Sequence, residues 1–345
     1  MKKIYLLIVL IIFAGCTLTV SDFTGGDDNV KVTRNEVKQF KVKGIKAFQI
    51  SSISGSITIL PAQDNILLIE AEAFSNNETN LGKIKMVETR AADMFRIHTK
   101  FTSKIVGRGG INYKVFLPEG VTISKAASIS GRIFIENISS VKRISTTSGD
   151  IIVAGCSKKI DISTVSGNTY LSKHKGTAKI SSTSGDQFIT NVEGNCILKT
   201  VSGDITPLLV LGDISANAVS GDIKVTDLIG KLSSSTVSGE ILAKGNITIG
   251  EIGTTSGGIT MEISDLGATS LVESTTGDIT LRLIALTDIT IEYDTSRGKA
   301  DIDIHTTSGP VSPGSGSVVI GDGTRKLSIS SSSGNITIKE RVLSI

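Results

Sequence analysis

Residues 202–223 read SGDITPLLVLGDISANAVSGDI, and the Ser-Gly-Asp-Ile runs at its two ends stand 18 residues apart. Moving outward by the same interval finds Ser-Gly at Ser130, Ser148, Ser166, Ser184, Ser202, Ser220, Ser238 and Ser256 without a slip. The glycines are Gly131, Gly149, Gly167, Gly185, Gly203, Gly221, Gly239 and Gly257. The next position is mostly acidic or amide: Asp150, Asn168, Asp186, Asp204, Asp222 and Glu240. Looser copies follow at Thr276-Gly277-Asp278, Ser308-Gly309 and Ser333-Gly334-Asn335, and one stands alone upstream at Ser54-Gly55.

Other positions keep the same frame. Three residues after Ser come Ile133, Ile151, Ile205, Ile223, Ile241 and Ile259, with Thr169 and Gln187 as exceptions. Five after come Ile135, Val153, Leu171, Ile189, Val225, Ala243 and Met261, with Pro207 breaking the series. Two before Ser stand small residues such as Thr146, Thr164 and Ser182. These tracks alternate with period two, as strands do. A unit this short cannot bury its apolar face alone, whereas stacked copies can. The sequence therefore predicts an all-β fold, a single-stranded parallel β-helix (β-solenoid) with about 18 residues per coil and a rise of ~4.8 Å. Glycine would supply a corner dihedral that a Cβ penalises. A β-sandwich would account for the strands but not for an unslipped period.

The regular solenoid is expected over residues 126–345. Residues 36–125 read as an irregular β region that starts or caps it. Within that region, Asn80–Arg90 is open between a short helix and a polar excursion. Lys339, Glu340 and Arg341 read as charged gatekeepers at the far end of the stack.

The N-terminus carries an address. Met1-Lys2-Lys3 precedes an apolar run, Ile4 to Phe13, too short to span a hydrocarbon core of ~30 Å. Phe13-Ala14-Gly15-Cys16 then resembles a bacterial lipobox, with Phe13 where Leu is usual. That resemblance implies a signal peptide over 1–15, lipidation of Cys16 and a membrane anchor without a transmembrane helix. Residues 16–35 are polar and read as a flexible tether. Thr17 is not an Asp retention signal, which points to an outer membrane or cell surface.

Composition agrees. The chain has 345 residues, 39% hydrophobic, 20% charged and 4% aromatic, with 36 Gly, 5 Pro and no Trp. Ile, Val, Thr and Gly favour strands and turns over helices. A net charge of +3 without a basic run argues against a nucleic-acid partner.

Chemistry-bearing clusters are scarce. His98, His174 and His305 stand far apart and read as surface or partly buried residues. Cys156 and Cys196 fall in different tracks and read as small buried hydrophobes. No metal-ligand spacing and no nucleophile or phosphate-binding motif stands out. The acidic track Asp150, Asp186, Asp204, Asp222 and Glu240 would form a ladder whose like charges repel. Solvent, an N–H of the same turn or a cation would relieve it. Ca²⁺ is the one cofactor this leaves open. A single-file ladder offers no acid and base in unlike environments.

Phe48-Gln-Ile50, Ser54-Gly55, the Val115-Phe-Leu-Pro-Glu-Gly120 turn and the tandem Ser-Gly-Asp-Ile units together look like the bacterial putative-adhesin family of β-strand-repeat proteins. The chain is also similar to head-GIN-type adhesin domains, over roughly residues 36–345. Pro207, Pro310 and the lengthened units after Gly257 depart from the pattern. The resemblance implies an exported, membrane-attached protein with no catalytic residues to carry over. The expected function is a non-catalytic envelope scaffold that binds a protein or a cell-envelope polymer. The alternatives are a polysaccharide-acting β-helix enzyme and a structural module of an envelope sensing or assembly complex.

Overall fold

The computed structural model describes residues 32–284, 286, 288–305 and 311–340. The predicted leader, Cys16 and most of the predicted tether lie outside these residues, as do Ser308, Gly309, Pro310 and Arg341. The described chain is all-β apart from one short helix.

The chain opens with β1 (Val32–Lys41), β2 (Ala47–Ser54), β3 (Ile57–Pro61), β4 (Ile66–Ser75), α1 (Glu78–Lys83), β5 (Ile84–Ala91), β6 (Met94–Phe101) and β7 (Gly109–Leu117). Strands then come in pairs joined by a Ser-Gly corner: β8 (Thr122–Ser130) with β9 (Ile133–Glu136), and β10 (Arg143–Ser148) with β11 (Ile151–Ala154). The series runs on through β12 (Ile160–Ser166), β13 (Thr169–Lys175), β14 (Ala178–Ser184), β15 (Gln187–Glu193), β16 (Cys196–Ser202) and β17 (Ile205–Leu211). Next come β18 (Ile214–Ser220), β19 (Ile223–Ser238), β20 (Ile241–Ser256) and β21 (Ile259–Ile263). The last elements are β22 (Asp265–Ser274), β23 (Ile279–Leu283), β24 (Ile289–Thr295), β25 (Ala300–Asp303), β26 (Ser315–Ile320), β27 (Arg325–Ser331) and β28 (Ile336–Glu340).

Each pair lies parallel on the next. Ile144 stands opposite Ile162, Ile162 opposite Ile180, Ile180 opposite Leu198, and Leu198 opposite Ala216. Elsewhere the offset changes: Leu228 meets Gly245, Ile259 meets Ile279, and Ile279 meets Ile336. The even step belongs to the middle of the stack.

The interior is filled by side-chain columns. Ile133, Ile151, Ile205, Ile223, Ile241 and Ile259 are all buried, each gaining ~1.5–3 kcal/mol from burial. Thr169 and Gln187 do not break this column, because both sit in it at 0% exposure. Gln187 Nε2 is satisfied by Ser182 Oγ at 2.8 Å and by the Lys199 carbonyl at 2.6 Å. Pro207 is buried opposite Ile189. Having no N–H to give, it interrupts the ladder on its other side, where pairing passes from Ile205↔Ile223 to Leu208↔Thr226.

Three corners shape each middle coil. One is the Ser-Gly corner. A second repeats at Asn137, Gly155, Lys173, Asn191, Leu209 and Asp227, all at positive φ. A third falls at Gly176, Gly194, Gly212 and Gly230.

Both ends depart from chain order. β2 pairs with β6 and β8, and β3 with β7 and β9, so the β6–β7 coil lies outside the first one. Antiparallel strands then block that end: β5 on β6, β4 on β7 and β1 on β4. Val32–Asn35, expected in the tether, are in β1 and face Glu72–Ser75, because pairing on β4 satisfies their backbone. The open Asn80–Arg90 segment resolves into the end of α1, capped by Asn77 Oδ1 accepting from Asn80 N at 2.8 Å, and then β5.

The other end mirrors this. β27–β28 lie between β22–β23 on one side and β24–β25 on the other, and β26 runs antiparallel on β24. Lys339 and Glu340, expected as terminal gatekeepers, thus stand inside the stack. Lys339 lies between Arg282 and Asp303, and Glu340 faces Leu283.

Candidate functional site: corner ladder, buried histidine and end cleft

The Ser-Gly corner forms one column along the stack. A Cβ on Gly131 would overlap the Gly55 carbonyl, one on Gly334 that of Gly277, and one on Gly298 that of Gly334. Ser54-Gly55, isolated in sequence, is therefore a rung beside Ser130-Gly131, and Gly55 N donates to the Ser130 carbonyl at 3.0 Å. Gly298 was missed, since Arg297 precedes it where a hydroxyl residue marks the other rungs.

The acidic ladder is wired across coils. Asp150 Oδ1 accepts from Asn168 N at 3.0 Å, and Asn168 Oδ1 from Asp186 N at 2.9 Å. Asp186 accepts from Asp204 N at 2.9 Å, Asp204 from Asp222 N at 2.8 Å, and Asp222 from Glu240 N at 2.8 Å. The ladder resumes at Asp278, which accepts from Asn335 N at 2.8 Å, and at Asn335, which accepts from Lys299 N at 3.0 Å. The expected bond to an N–H of the same turn is thus corrected. The corner aims each carboxyl along the stack, where the following coil presents an amide. Among the described residues no group of three or more His, Cys, Asp and Glu could hold a metal ion. The ladder serves as a spine that satisfies corner amides.

His174 is not at the surface. It is 0% exposed, in a column with Cys156, Val192, Val210 and Leu228, and neither ring nitrogen makes a hydrogen bond of good geometry. Its coil step aims it inward, whatever its polarity. Burial holds its pKa below the usual histidine range, opposed by the nearby backbone of Thr177, Cys156 and Lys158. Cys156 and Cys196 are free and buried, and burial pushes their thiols up to about 11 and about 12. Such thiols are poor nucleophiles at neutral pH. His98 is half-buried on β6, and exposed His305 places Nδ1 3.0 Å from Glu340 Oε2.

Sequence reasoning also missed a cleft of about 380 Å³ where β1, β3, β4 and β7 meet. Glu36, Glu70 and Glu72 line it beside Asn112 and Lys114. Each carboxylate has a partner: Glu72 Oε2 accepts from Asn112 Nδ2 at 2.8 Å, Lys114 stands 3.7 Å from Glu70, and Lys38 stands 2.9 Å from Glu36. Tyr113 beneath is buried, with its hydroxyl 2.9 Å from Thr99 Oγ1, and burial raises its pKa. The one signal in the sequence was the alternation Glu70-Ala71-Glu72. Tyr170 and Phe188 stack at 5.1 Å with planes 10° apart, so they spend facing ring surfaces on each other rather than on a sugar.

Among curated proteins, none matches. A solved structure described as a putative adhesin from Bacteroides fragilis is 16% identical, with 62% of this chain and 96% of that chain covered and a TM-score of 0.43. One described as a putative cell adhesion protein from Clostridium sporogenes is 10% identical, with 90% of this chain and 100% of that chain covered and a TM-score of 0.20. Both likenesses are too weak to carry a functional argument. The family model described as Toastrack DUF4097 matches residues 212–339, from the third corner of one middle coil through the inserted β27–β28 pair. Over residues 212–339, therefore, the chain is similar to the family described as Toastrack DUF4097.

Proposed function

We propose that this chain is an exported, lipid-anchored, non-catalytic β-solenoid that acts at the cell envelope as a binding or scaffold module. One observation carries the reading. The coil interior is packed with side-chain columns, and the polar ladder along its corner is consumed by backbone amides. The remaining surface consists of flat faces repeating with the coil, suited to contact a partner over length. The lipobox-like Phe13-Ala14-Gly15-Cys16 supports the anchor.

The end cleft supports a second reading, an enzyme acting on polysaccharide, since Glu36, Glu70 and Glu72 line one space. A glycosidase needs one carboxyl kept protonated by an apolar setting and another left ionised. Each of these three meets a cation or an amide donor instead, which favours the binding reading.

The test is intact mass and detergent partitioning of the full chain from its host, beside Cys16→Ser. A lipid-sized mass gain with detergent-phase partitioning, lost in the variant, is expected. An unmodified, water-phase protein would overturn the anchor. Turnover in a glycan panel, lost in Glu70→Gln or Glu72→Gln, would overturn the non-catalytic assignment.

A further inference from the structure

One inward column changes chemistry for two coils. Between Ile151 on one side and Ile205 on the other stand Thr169 and Gln187, opposite each other on neighbouring coils and both at 0% exposure. Thr169 Oγ1 and Gln187 Oε1 have no hydrogen-bond partner among the described residues, and neither has Thr164 Oγ1, on a side chain 5% exposed. A buried oxygen without a partner gives up its solvation for nothing in return. For Thr164 the remedy is close by. Thr236 and Thr254, at its place in later coils, donate to the Gly221 and Gly239 carbonyls at 3.1 and 3.2 Å. Thr169 and Gln187 have no such model, because the coils on either side carry hydrocarbon at their place.

The bonds already made say where these oxygens meet. Gln187 Nε2 donates across the Ser-Gly corner to Ser182 Oγ at 2.8 Å and to the Lys199 carbonyl of the following coil at 2.6 Å. A carbonyl can only accept, so the nitrogen end of the amide is fixed there. Gln187 Oε1 is thereby turned away from that coil, toward the preceding one. In the preceding coil Thr164 and Thr169 hold the places of Ser182 and Gln187. Thr169 is too short to cross the corner as Gln187 does, and it fills less of the column than Ile151 by about a methyl group. A space of that size suits one water molecule, whose share of the liquid is ~30 Å³.

We propose that an internal water is bound under the Ser-Gly corner between these two coils, accepting from the Thr169 hydroxyl and donating to Gln187 Oε1 and Thr164 Oγ1. Three polar partners are the usual complement of a buried water. Thr169 and Gln187 then explain each other. Either one beside an isoleucine would strand an oxygen, whereas together they share the bridging molecule. The site keys one coil to the next, in a column where isoleucine on isoleucine does not distinguish one step from another. It stands independently of the anchor and of the function proposed above.

Magnetic relaxation dispersion of the water oxygen, which counts long-lived internal waters, tests it on the full chain carrying Cys16→Ser to keep it free of lipid. The double variant Thr169→Ile, Gln187→Ile, which continues the isoleucine column, should lose about one such water per chain. Thr169→Ser keeps the hydroxyl and should keep the water. Urea denaturation gives a second readout. Thr169→Ile alone should lower the midpoint, because it expels the water and strands Gln187 Oε1, and adding Gln187→Ile should restore it. Circular dichroism checks that each variant is folded. An unchanged dispersion amplitude in the folded double variant would overturn the proposal. So would a higher midpoint for Thr169→Ile alone, since Gln187 Oε1 would then have lost no partner.

Discussion

Asp204→Asn should stabilise the protein, and the gain should fade with salt. Asp204 stands between Asp186 and Asp222, one coil away on each side. Two carboxylates ~4.8 Å apart in water repel by about 0.9 kcal/mol, so its two neighbours cost about 1.7 kcal/mol together. At physiological salt, with a Debye length of ~8 Å, about 1 kcal/mol remains. The amide oxygen of Asn still accepts from Asp222 N, as Asn168 does from Asp186 N at 2.9 Å and Asn335 from Lys299 N at 3.0 Å. Charge assistance makes the carboxylate the stronger acceptor, but on an exposed rung solvent reduces that advantage. Asp204→Ala loses both repulsion and bond, the bond being worth about 1 kcal/mol. It should be near neutral at low salt and destabilising by about 1 kcal/mol at high salt, where repulsion is screened away.

Urea denaturation of the three proteins at low, physiological and molar salt decides the matter. The expected order at low salt is Asn above Asp, with Ala near Asp. At molar salt, Asn and Asp should converge with Ala below both. An Asn variant less stable than wild type at every salt would refute the reasoning. It would mean that the ladder's charge is used, through much stronger carboxylate bonds or through a resident cation that the amide cannot hold.

Other perturbations test the remaining parts of the stack. Gly203→Ala, at φ +135 and aimed at the Gly185 carbonyl, should cost more than about 3 kcal/mol in the same assay, far above a Gly→Ala change at an open turn such as Gly44. His174→Leu should raise stability by ~1–3 kcal/mol, because it removes a buried imidazole whose nitrogens lack good partners. His174 titrates lower when folded than when unfolded. Its contribution is therefore intact above the unfolded value of ~6.5 and lost as pH falls below it. The gap between His174→Leu and wild type should widen from pH 7 toward pH 5, by up to ~1.4 kcal/mol per unit; a pH-independent gap would refute the assignment. Deleting residues 325–345 should expose β23 and β24 and produce an aggregating, dye-binding protein. A soluble, cooperative truncate would show that β24–β25 can close onto β22–β23 directly.

The middle of the stack was legible because its period is written in residues of unlike chemistry. Ser-Gly, a following Asx and an inward Ile recur together, and each answers a different physical demand: corner dihedral, amide acceptor, core. The apparent exceptions were inward-facing all the same. Once the coils on either side fix the step, Thr169, Gln187 and His174 are buried whatever their polarity. Coil order at the ends was illegible. Nothing in Ser54-Gly55 or Ser333-Gly334 says which neighbour each will meet, since parallel ladders accept any copy with the right corner. The same local pattern fits next to Gly131 or next to Gly277, and only the insertions between copies decide. The end cleft was unreadable for a related reason. It is assembled from β1, β3, β4 and β7, whose pairing follows from those insertions.

The out-of-order ends solve one problem twice. A parallel solenoid exposes, at each terminus, a full row of unpaired backbone groups and a cross-section of its core, an invitation to stack end to end. A run of identical coils cannot remove that edge, because each new coil only moves it outward. Here each end sends the chain past its neighbour and attaches antiparallel strands: β5, β4 and β1 at one end, β26 at the other. An antiparallel strand breaks the corner register, so the next coil has no matching Ser-Gly to dock on. Growth along the axis is then blocked, while the sides remain flat and periodic. That leaves the flat lateral faces as the surface open to a partner.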